Sequence, residues 1–166
     1  TMKIIAAGNI FTGTFERDGM GGILTLGRNF ECRPNKLKGY YKYTSAKVSV
    51  SKGHLNEGED DLCSLYIALT DEQITVNTNK GIYFDPNSSA VIAYGSISDE
   101  ESKGADSFKE FTVDLEYKDL KRIPKYIIVV ASSSKYGDYM EGGKGSTMWL
   151  DDLELVYPKS MEEVRK

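Results

Sequence analysis

The sequence predicts an all-β domain with the architecture of a sandwich or a barrel. Several segments alternate apolar and polar residues with a period of two, and Gly, Pro, Asn and Asp separate these segments at short intervals. No segment shows the apolar period of a helix of normal length. The pattern therefore predicts about seven or eight short strands. Because 166 residues suffice for one hydrophobic core, we expect a single domain over residues 1–166, with 1–5 and 158–166 as peripheral ends.

The first third of the chain carries one clear strand signal. Residues 6–22 mix Gly, Asn and Thr with isolated aromatic residues, which predicts an irregular segment that places aromatic rings on a core. Residues 23–32 are interrupted at Gly27 and predict one or two short strands. Residues 36–43 alternate strictly, so one face should be buried while the other carries Lys and Tyr. The predicted buried set is Leu37, Gly39, Tyr41 and Tyr43.

The middle of the chain alternates between strands and polar loops. Residues 51–61 are acidic and contain Gly, which predicts a surface loop. Residues 62–70 predict a central strand, and residues 90–97 predict another. Residues 75–89 are rich in turn formers, and residues 98–107 predict a solvated acidic loop. On the central strand we expect one buried face made of Cys63, Leu65, Ile67 and Leu69.

The last third carries three strand signals. Residues 108–117 alternate, whereas residues 126–131 are apolar on both faces and should be central in a sheet. Residues 147–157 form a second apolar run, and the two runs bracket a long loop rich in Ser, Gly, Lys and Tyr. The tail, residues 160–166, predicts at most a short, fraying helix.

Charge and composition exclude some partner classes. A formal net charge of −4 argues against a nucleic-acid partner, because phosphate-binding surfaces concentrate Lys and Arg. No run of about eighteen apolar residues occurs, so we expect no membrane span. Residues 1–3 do not resemble a signal peptide, and we expect that an exported parent chain would carry its address upstream. The eleven Tyr suit a sheet face that is half buried and half in contact with something polar.

The two cysteines, Cys32 and Cys63, allow one disulfide but do not establish it. Both lie in apolar surroundings typical of strands. We favour two reduced thiols in the core, since free cysteine is among the most buried residue types.

Nucleophilic catalysis finds little support in the sequence. The single histidine, His54, lies in a loop rich in Gly and Glu and not beside a serine motif, which disfavours a Ser-His-Asp triad. Together with Cys32 and Cys63 it lacks the paired spacing of a zinc site. A pair of carboxylates suited to glycoside hydrolysis stays open, because linear sequence does not report the separation of two acids.

Asp151 and Asp152 interrupt the apolar run of residues 147–157. Alternation predicts that one of the two carboxylates points inward, where it requires a partner. A hard cation such as Ca²⁺ or a cluster of backbone N–H groups would serve. We therefore expect either a structural calcium site or a hydrogen-bonded structural aspartate.

Four segments are similar to a known family. They are RPNKLKGYYKYT at residues 33–44, IALTD at 67–71, AYGS at 93–96 and IIVVASSSKYGDYMEGGKGSTMWLDDLELVY at 127–157. These segments resemble the putative carbohydrate metabolism domain. The resemblance covers about residues 6–157, and its most specific blocks are LKGYYKY and SSSKYGDY with the following GSTMWLDDLEL.

The resemblance implies a jelly-roll β-sandwich similar to carbohydrate-binding modules. Members typically form the C-terminal part of surface lipoproteins in gut Bacteroidetes, which implies an extracellular or outer-membrane location and an upstream domain in the same parent chain. A looser likeness to jelly-roll binding modules suggests that Phe15 and Glu16, together with Asp151 and Asp152, hold a structural Ca²⁺. No catalytic residues are carried over.

The leading hypothesis is a non-catalytic, carbohydrate-binding-like module for a polysaccharide or oligosaccharide. Aromatic rings would stack on the apolar face of a pyranose, while Asp and Lys would hydrogen-bond its hydroxyls. The candidate sugar-binding residues are Tyr40, Lys42, Tyr94, Lys135, Tyr136, Asp138, Tyr139 and Trp149. A glycoside hydrolase and a purely structural or adhesion spacer module remain as alternatives, so the sequence leaves open whether the domain is an enzyme.

Overall fold

The computed structural model describes residues 5–19 and 21–160. Twelve strands form within this part of the chain, together with a single helical turn, α1 (Asp99–Ser102), and two 3-10 turns at Thr78–Lys80 and Gly137–Tyr139. The strands are β1 (Asn9–Phe11), β2 (Gly13–Asp18), β3 (Gly21–Leu26), β4 (Arg28–Asn29), β5 (Lys36–Thr44), β6 (Ser64–Thr70), β7 (Ile74–Asn77), β8 (Val91–Ser96), β9 (Lys109–Asp114), β10 (Glu116–Tyr117), β11 (Tyr126–Ser132) and β12 (Thr147–Val156).

The strands build three antiparallel sheets. The main sheet has the order β1-β11-β6-β8-β10, and β4 also pairs with β11. The outer sheet has the order β12-β5-β9, and the small sheet has the order β2-β3-β7. Neighbours in the main and outer sheets are mostly not consecutive in sequence, as expected for a jelly roll rather than a meander.

The main sheet and the outer sheet pack face to face around the principal core. Strand β5 contributes Leu37, Tyr41 and Tyr43 from one face, as its alternation predicted. Strand β6 contributes Leu65, Ile67 and Leu69, and β9 contributes Phe111 and Val113; the Tyr41 and Phe111 rings meet edge to face at 5.9 Å. Each such side chain contributes about 1.5–3 kcal/mol on burial. The expected all-β sandwich is confirmed.

The small sheet covers only part of the opposite face of the main sheet. Leu26 and Val76 of the small sheet pack there against Ala68 and Ile128 of the main sheet. Tyr66 and Tyr94 lie on the same face of the main sheet and are only partly buried. The uncovered portion of this face forms the floor of the candidate site.

Several loop predictions were wrong because short strands and caps lack a periodic pattern. Residues 6–22 form β1 and β2 and begin β3, and residues 75–77 complete β7. The acidic loop at 98–107 contains α1. Ser98 Oγ accepts the Glu101 N–H at 3.2 Å and Glu101 Oε2 accepts the Ser98 N–H at 2.8 Å, a capping box that the sequence contains but period counting misses.

The two C-terminal apolar runs lie in different sheets. Strand β11 is central in the main sheet, as predicted, whereas β12 pairs with β5 in the outer sheet. The loop between them therefore crosses from one layer of the sandwich to the other. It passes over one end of the core, and this path places it beside the uncovered face of the main sheet.

Both cysteines are free thiols. Cys63 is fully buried, and this burial raises its pKa to about 12, whereas Cys32 is exposed. The prediction that both thiols lie in the core is therefore right for Cys63 and wrong for Cys32. Cys32 is exposed because it follows the end of β4 in an irregular segment.

No helix in the described ranges is long and apolar enough to cross a membrane. The predicted C-terminal helix falls on residues 161–166, which lie outside the described residues, and the single-domain expectation stays a prediction.

Candidate functional site

A cavity of about 300 Å³ opens on the uncovered face of the main sheet. Five aromatic side chains and six other hydrogen-bonding side chains share its lining. We call this cavity the tyrosine groove. The aromatic members are Tyr66, Tyr83, Phe84, Tyr94 and Tyr139, and the other hydrogen-bonding members are Ser64, Ser96, Asp99, Ser102, Lys135 and Asp138.

Two adjacent strands build the floor of the tyrosine groove. On β6, alternation directs Tyr66 away from the face that carries Leu65 and Ile67. On β8, Tyr94 lies opposite Ala68 of β6, and the Tyr66 and Tyr94 rings approach to 6.0 Å. The Phe84 ring stacks on Tyr66 at 4.9 Å with an interplanar angle of 18°. Burial raises the pKa of Tyr66, so its hydroxyl stays protonated at neutral pH.

The loop after β11 builds one wall of the groove. Lys135 Nζ donates to Asp99 Oδ1 at 3.0 Å, which joins this loop to α1. The Tyr139 ring stacks on Tyr83 at 4.1 Å with an interplanar angle of 30°. These two contacts bring side chains from three segments, around residues 83, 99 and 137, to the same cavity.

Asp138 and Asp99 have pKa values shifted in opposite directions. Asp138 keeps solvent-exposed surface as a residue, but protein atoms around its carboxyl remove water from it and raise its pKa. The hydrogen bond from Lys135 lowers the pKa of Asp99. The groove therefore presents one carboxyl biased towards its neutral form and one biased towards its ionised form.

A buried carboxylate, Asp61, fixes the base of the wall. Its Oδ2 accepts three hydrogen bonds: from Ser134 Oγ at 2.7 Å, from Ser146 Oγ at 2.7 Å and from the Gly143 N–H at 2.8 Å. Asp61 is 1% exposed. Both ends of the loop between β11 and β12 are thus tied to one side chain, which keeps the loop in a single conformation.

A second buried carboxylate, Glu141, reaches in the opposite direction. It accepts the backbone N–H groups of Lys52 at 2.7 Å, His54 at 3.2 Å and Leu55 at 2.6 Å, and it lies 3.1 Å from His54 Nδ1. Burial alone would raise the pKa of Glu141, but the hydrogen bonds from Leu55, Lys52 and His54 outweigh it and lower the pKa.

His54 connects this carboxylate to the groove wall. Its ring stacks on Tyr136 at 4.4 Å and 16° and contacts Tyr139 at 4.4 Å and 51°. Because Tyr139 also lines the tyrosine groove, Glu141 positions a groove residue through His54.

The structure divides the eight predicted sugar-binding residues into two groups. Tyr94, Lys135, Asp138 and Tyr139 line the tyrosine groove. Tyr136 lies next to it and packs on His54. The remaining three residues, Tyr40, Lys42 and Trp149, lie on the solvent side of the outer sheet.

We call the solvent side of the outer sheet the outer face. Trp149 pairs with Lys42 across β12 and β5, and Lys42 Nζ lies 4.9 Å from the centre of the Trp149 ring. Tyr40 pairs with Asp151 on the same two strands. Tyr40 and Trp149 are 41% and 42% exposed, so neither is a core residue.

Sequence reasoning missed three of the five aromatic groove residues, Tyr66, Tyr83 and Phe84, as well as the groove's serines and Asp99. The alternation of residues 62–70 already places Tyr66 on the face opposite the buried one, so the sequence could have identified it as a candidate. Tyr83 and Phe84 follow the 3-10 turn at Thr78–Lys80 in a segment without periodicity. Only the tertiary contacts of their rings with Tyr139 and Tyr66 reveal them.

The expectation that Asp151 or Asp152 points inward was wrong. Both are exposed, because β12 has an irregular register between Asp151 and Glu154 and Asp152 adopts a left-handed backbone with φ of 48°. The bulge breaks the alternation on which the expectation depended. The Asp152 N–H donates to Asp151 Oδ1 at 2.9 Å, and Glu16 is exposed on β2 of the small sheet.

Within residues 5–19 and 21–160, no group of three or more His, Cys, Asp or Glu is arranged to hold a metal ion. Calcium binding by Asp151, Asp152 and Glu16 stays a prediction.

The fold and the groove define an antiparallel β-sandwich domain with an aromatic, concave surface at one end of its main sheet. A family model described as "Putative carbohydrate metabolism domain" matches residues 1–156. The chain belongs to this family. The comparison with curated proteins gives no match.

Two crystal structures are similar to this chain, and each is described as a putative glycoside hydrolase. The protein from Bacteroides thetaiotaomicron has a TM-score of 0.70 and 26% identity, over 93% of this chain and 48% of that one. The protein from Bacteroides vulgatus has a TM-score of 0.70 and 26% identity, over 91% of this chain and 64% of that one. This chain therefore spans less than two thirds of either relative.

Proposed function

We propose that this domain is a non-catalytic carbohydrate-binding module whose tyrosine groove takes a polysaccharide or an oligosaccharide. One observation carries the proposal: five aromatic side chains from four segments converge on one cavity that also presents carboxylate, ammonium and hydroxyl groups. Membership of a carbohydrate-related family supports a sugar as the ligand.

The chemistry of the groove suits a pyranose. The C–H groups on one face of the ring pack on aromatic faces such as Tyr94 and Tyr139, which keep part of their surface exposed. The hydroxyl groups at the ring edge can accept from Lys135, donate to the Asp138 carboxyl, and do either with the Ser96 hydroxyl. Because the Tyr83–Tyr139 and Tyr66–Phe84 stacks order these rings before binding, little conformational entropy is lost on association.

Binding to a panel of immobilised plant, host and microbial glycans tests the proposal. The expected result is saturable binding to one glycan class without release of reducing sugar. The same panel, run with calcium and with a chelator, tests whether a cation contributes. Absence of binding under both conditions would contradict the proposal and favour a structural or adhesion spacer module.

A glycoside hydrolase is the second candidate, and the two carboxyl groups of the groove favour it. General acid catalysis needs a carboxyl with a raised pKa, as Asp138 has, beside a second carboxyl that stays ionised, as Asp99 does. The two similar structures, described as putative glycoside hydrolases, also support it. Release of reducing sugar that Asp138→Asn and Asp99→Asn both abolish, with binding retained, would replace the first proposal.

We also propose that the domain acts outside the cell or at the outer-membrane surface, beside an upstream domain of the same parent chain. The relatives extend well beyond the region that this chain matches, which supports a further domain. Protease accessibility of the parent protein on intact cells tests the location, since an internal protein would resist digestion until lysis.

A further inference from the structure

A second, larger cavity adjoins the tyrosine groove. Its volume is about 740 Å³, and most of its lining is apolar. Phe11 of β1, Phe15 of β2 and Leu24 of β3 form one side, and Met140 follows the 3-10 turn on the other. We call it the apolar cavity.

Asp138 lines both cavities, so the two cavities are neighbours at this residue. The turn Gly137–Tyr139 lies between them: Tyr139 lines the tyrosine groove, whereas Gly137 lines the apolar cavity. A substituent of a ligand in the groove would have to pass Asp138 to reach the apolar cavity.

Two features indicate that the apolar cavity is built to receive a ligand. Phe15 is 61% exposed, and its ring lies across the backbone of Gly22 so closely that a Cβ at Gly22 would overlap it. Met140, which ends the 3-10 turn as its left-handed capping residue, lines the opposite side of the cavity. An exposed aromatic ring and a flexible apolar side chain thus line the same space.

We propose that the apolar cavity binds an apolar substituent, acyl or aryl, of the saccharide that occupies the tyrosine groove. This inference rests on the proposed function. The groove offers hydrogen-bonding partners for hydroxyl groups. In the apolar cavity, by contrast, Asp138 is the one charged side chain among the described residues of the lining. The recognised ligand is therefore a substituted glycan or glycoside, and the apolar cavity adds affinity by removing the substituent from water.

Matched glycosides test the inference. Methyl, octyl and phenyl glycosides of the common hexoses and pentoses are titrated against the full chain by calorimetry, with octyl glycosides kept below their micelle concentration. For the sugar that binds, the octyl or the phenyl glycoside should bind at least tenfold more tightly than the methyl glycoside. The octyl and phenyl arms distinguish an acyl-type from an aryl-type substituent.

The variant Phe15→Ala should remove most of this difference and leave the affinity for the methyl glycoside unchanged. Phe108→Ala is the matched control, because Phe108 is an equally exposed phenylalanine, 51% exposed, that does not line the apolar cavity. Met140→Ala is a second variant that changes the opposite side of the cavity. Phe15 is exposed and Met140 ends a turn, so neither substitution should disrupt the core. A melting curve verifies the fold of each variant.

Equal affinity for methyl, octyl and phenyl glycosides would overturn the inference while leaving sugar binding by the groove intact. A gain that persists in both Phe15→Ala and Met140→Ala would also overturn it, because the substituent would then bind elsewhere. If neither methyl glycosides nor unmodified glycans bind, the proposed function itself fails, and this inference fails with it.

Discussion

The tyrosine groove and the outer face contain the same kinds of residue in different arrangements. Both present Tyr, Lys and Asp side chains with exposed surface. In the groove these side chains come from several segments and converge on one cavity. On the outer face, Tyr40, Lys42 and Trp149 project from two neighbouring strands of one sheet and point to solvent. Convergence on one cavity, and not residue composition, therefore distinguishes a candidate sugar site.

The acidic residues of the two regions differ in the same way. Beneath the groove wall, Asp61 and Glu141 are buried, and hydrogen bonds from the protein satisfy their carboxylates. On the outer face, Asp151 and Asp152 are exposed on a bulge. A buried carboxylate can fix a loop because no water molecule can take its place as the acceptor for the N–H and O–H groups that donate to it.

The largest expected effect is on stability, from Glu141→Gln. Loss of the charge weakens hydrogen bonds from three backbone N–H groups to a side chain that is itself fully buried, which should lower the free energy of unfolding by about 2–3 kcal/mol and the Tm by about 8 °C. Thermal unfolding measures both. Glu154→Gln, an exposed glutamate of β12 paired with Lys38, is the matched control and should leave the Tm nearly unchanged. Equal effects of the two variants would contradict the anchoring role of Glu141.

The second effect is on sugar binding and compares Tyr139→Ala with Trp149→Ala. The two rings are similarly exposed, 36% and 42%, but only Tyr139 lines the tyrosine groove. Loss of one stacking ring should weaken binding at least tenfold in Tyr139→Ala and less than about twofold in Trp149→Ala. Calorimetry with the glycan identified in the panel measures this difference. The reverse order would move the sugar site to the outer face, where Tyr40 and Lys42 would join Trp149.

A smaller effect is the pH dependence of stability. The folded state lowers the pKa of Glu141, so the ionised carboxylate stabilises the fold at pH above its unfolded pKa of about 4.3. This stabilisation is lost as pH falls through the lowered pKa. The difference in Tm between the wild type and Glu141→Gln should therefore shrink between about pH 5 and pH 3. A difference that stays constant over this range would show that charge does not contribute.

The smallest expected effect concerns calcium. A site on Asp151 and Asp152 would be exposed and weak, with half-saturation in the range of about 0.1–1 mM, so about 10 mM calcium should raise the Tm by a few degrees. Asp151→Asn and Asp152→Asn should each remove this increase. Glu72→Gln, at an exposed glutamate between β6 and β7, should retain it. No calcium-dependent change in the wild type would refute the calcium prediction.

Local alternation in the sequence predicts most of the fold, and tertiary contacts decide most of the site. Strand β5 and the buried face of β6 follow directly from their period of two. Alternation failed on β12, because a bulge at Asp152 shifts the register and no local signal marks it. The sequence predicted four residues of the groove: Tyr94, Lys135, Asp138 and Tyr139. It could not distinguish them from the three residues of the outer face, since the residue types of a strand do not report which layer the strand joins.

An all-β sandwich and the family to which the chain belongs follow from the sequence alone, because period-two patterns and conspicuous local blocks are properties of contiguous residues. Long-range contacts place β11 and β12 in different layers, so that the loop between them crosses the end of the core. Only this crossing brings Tyr139 to Tyr83 and places Asp138 between two cavities. Such contacts join residues more than fifty positions apart, and long-range packing of the layers, rather than any local preference, selects them.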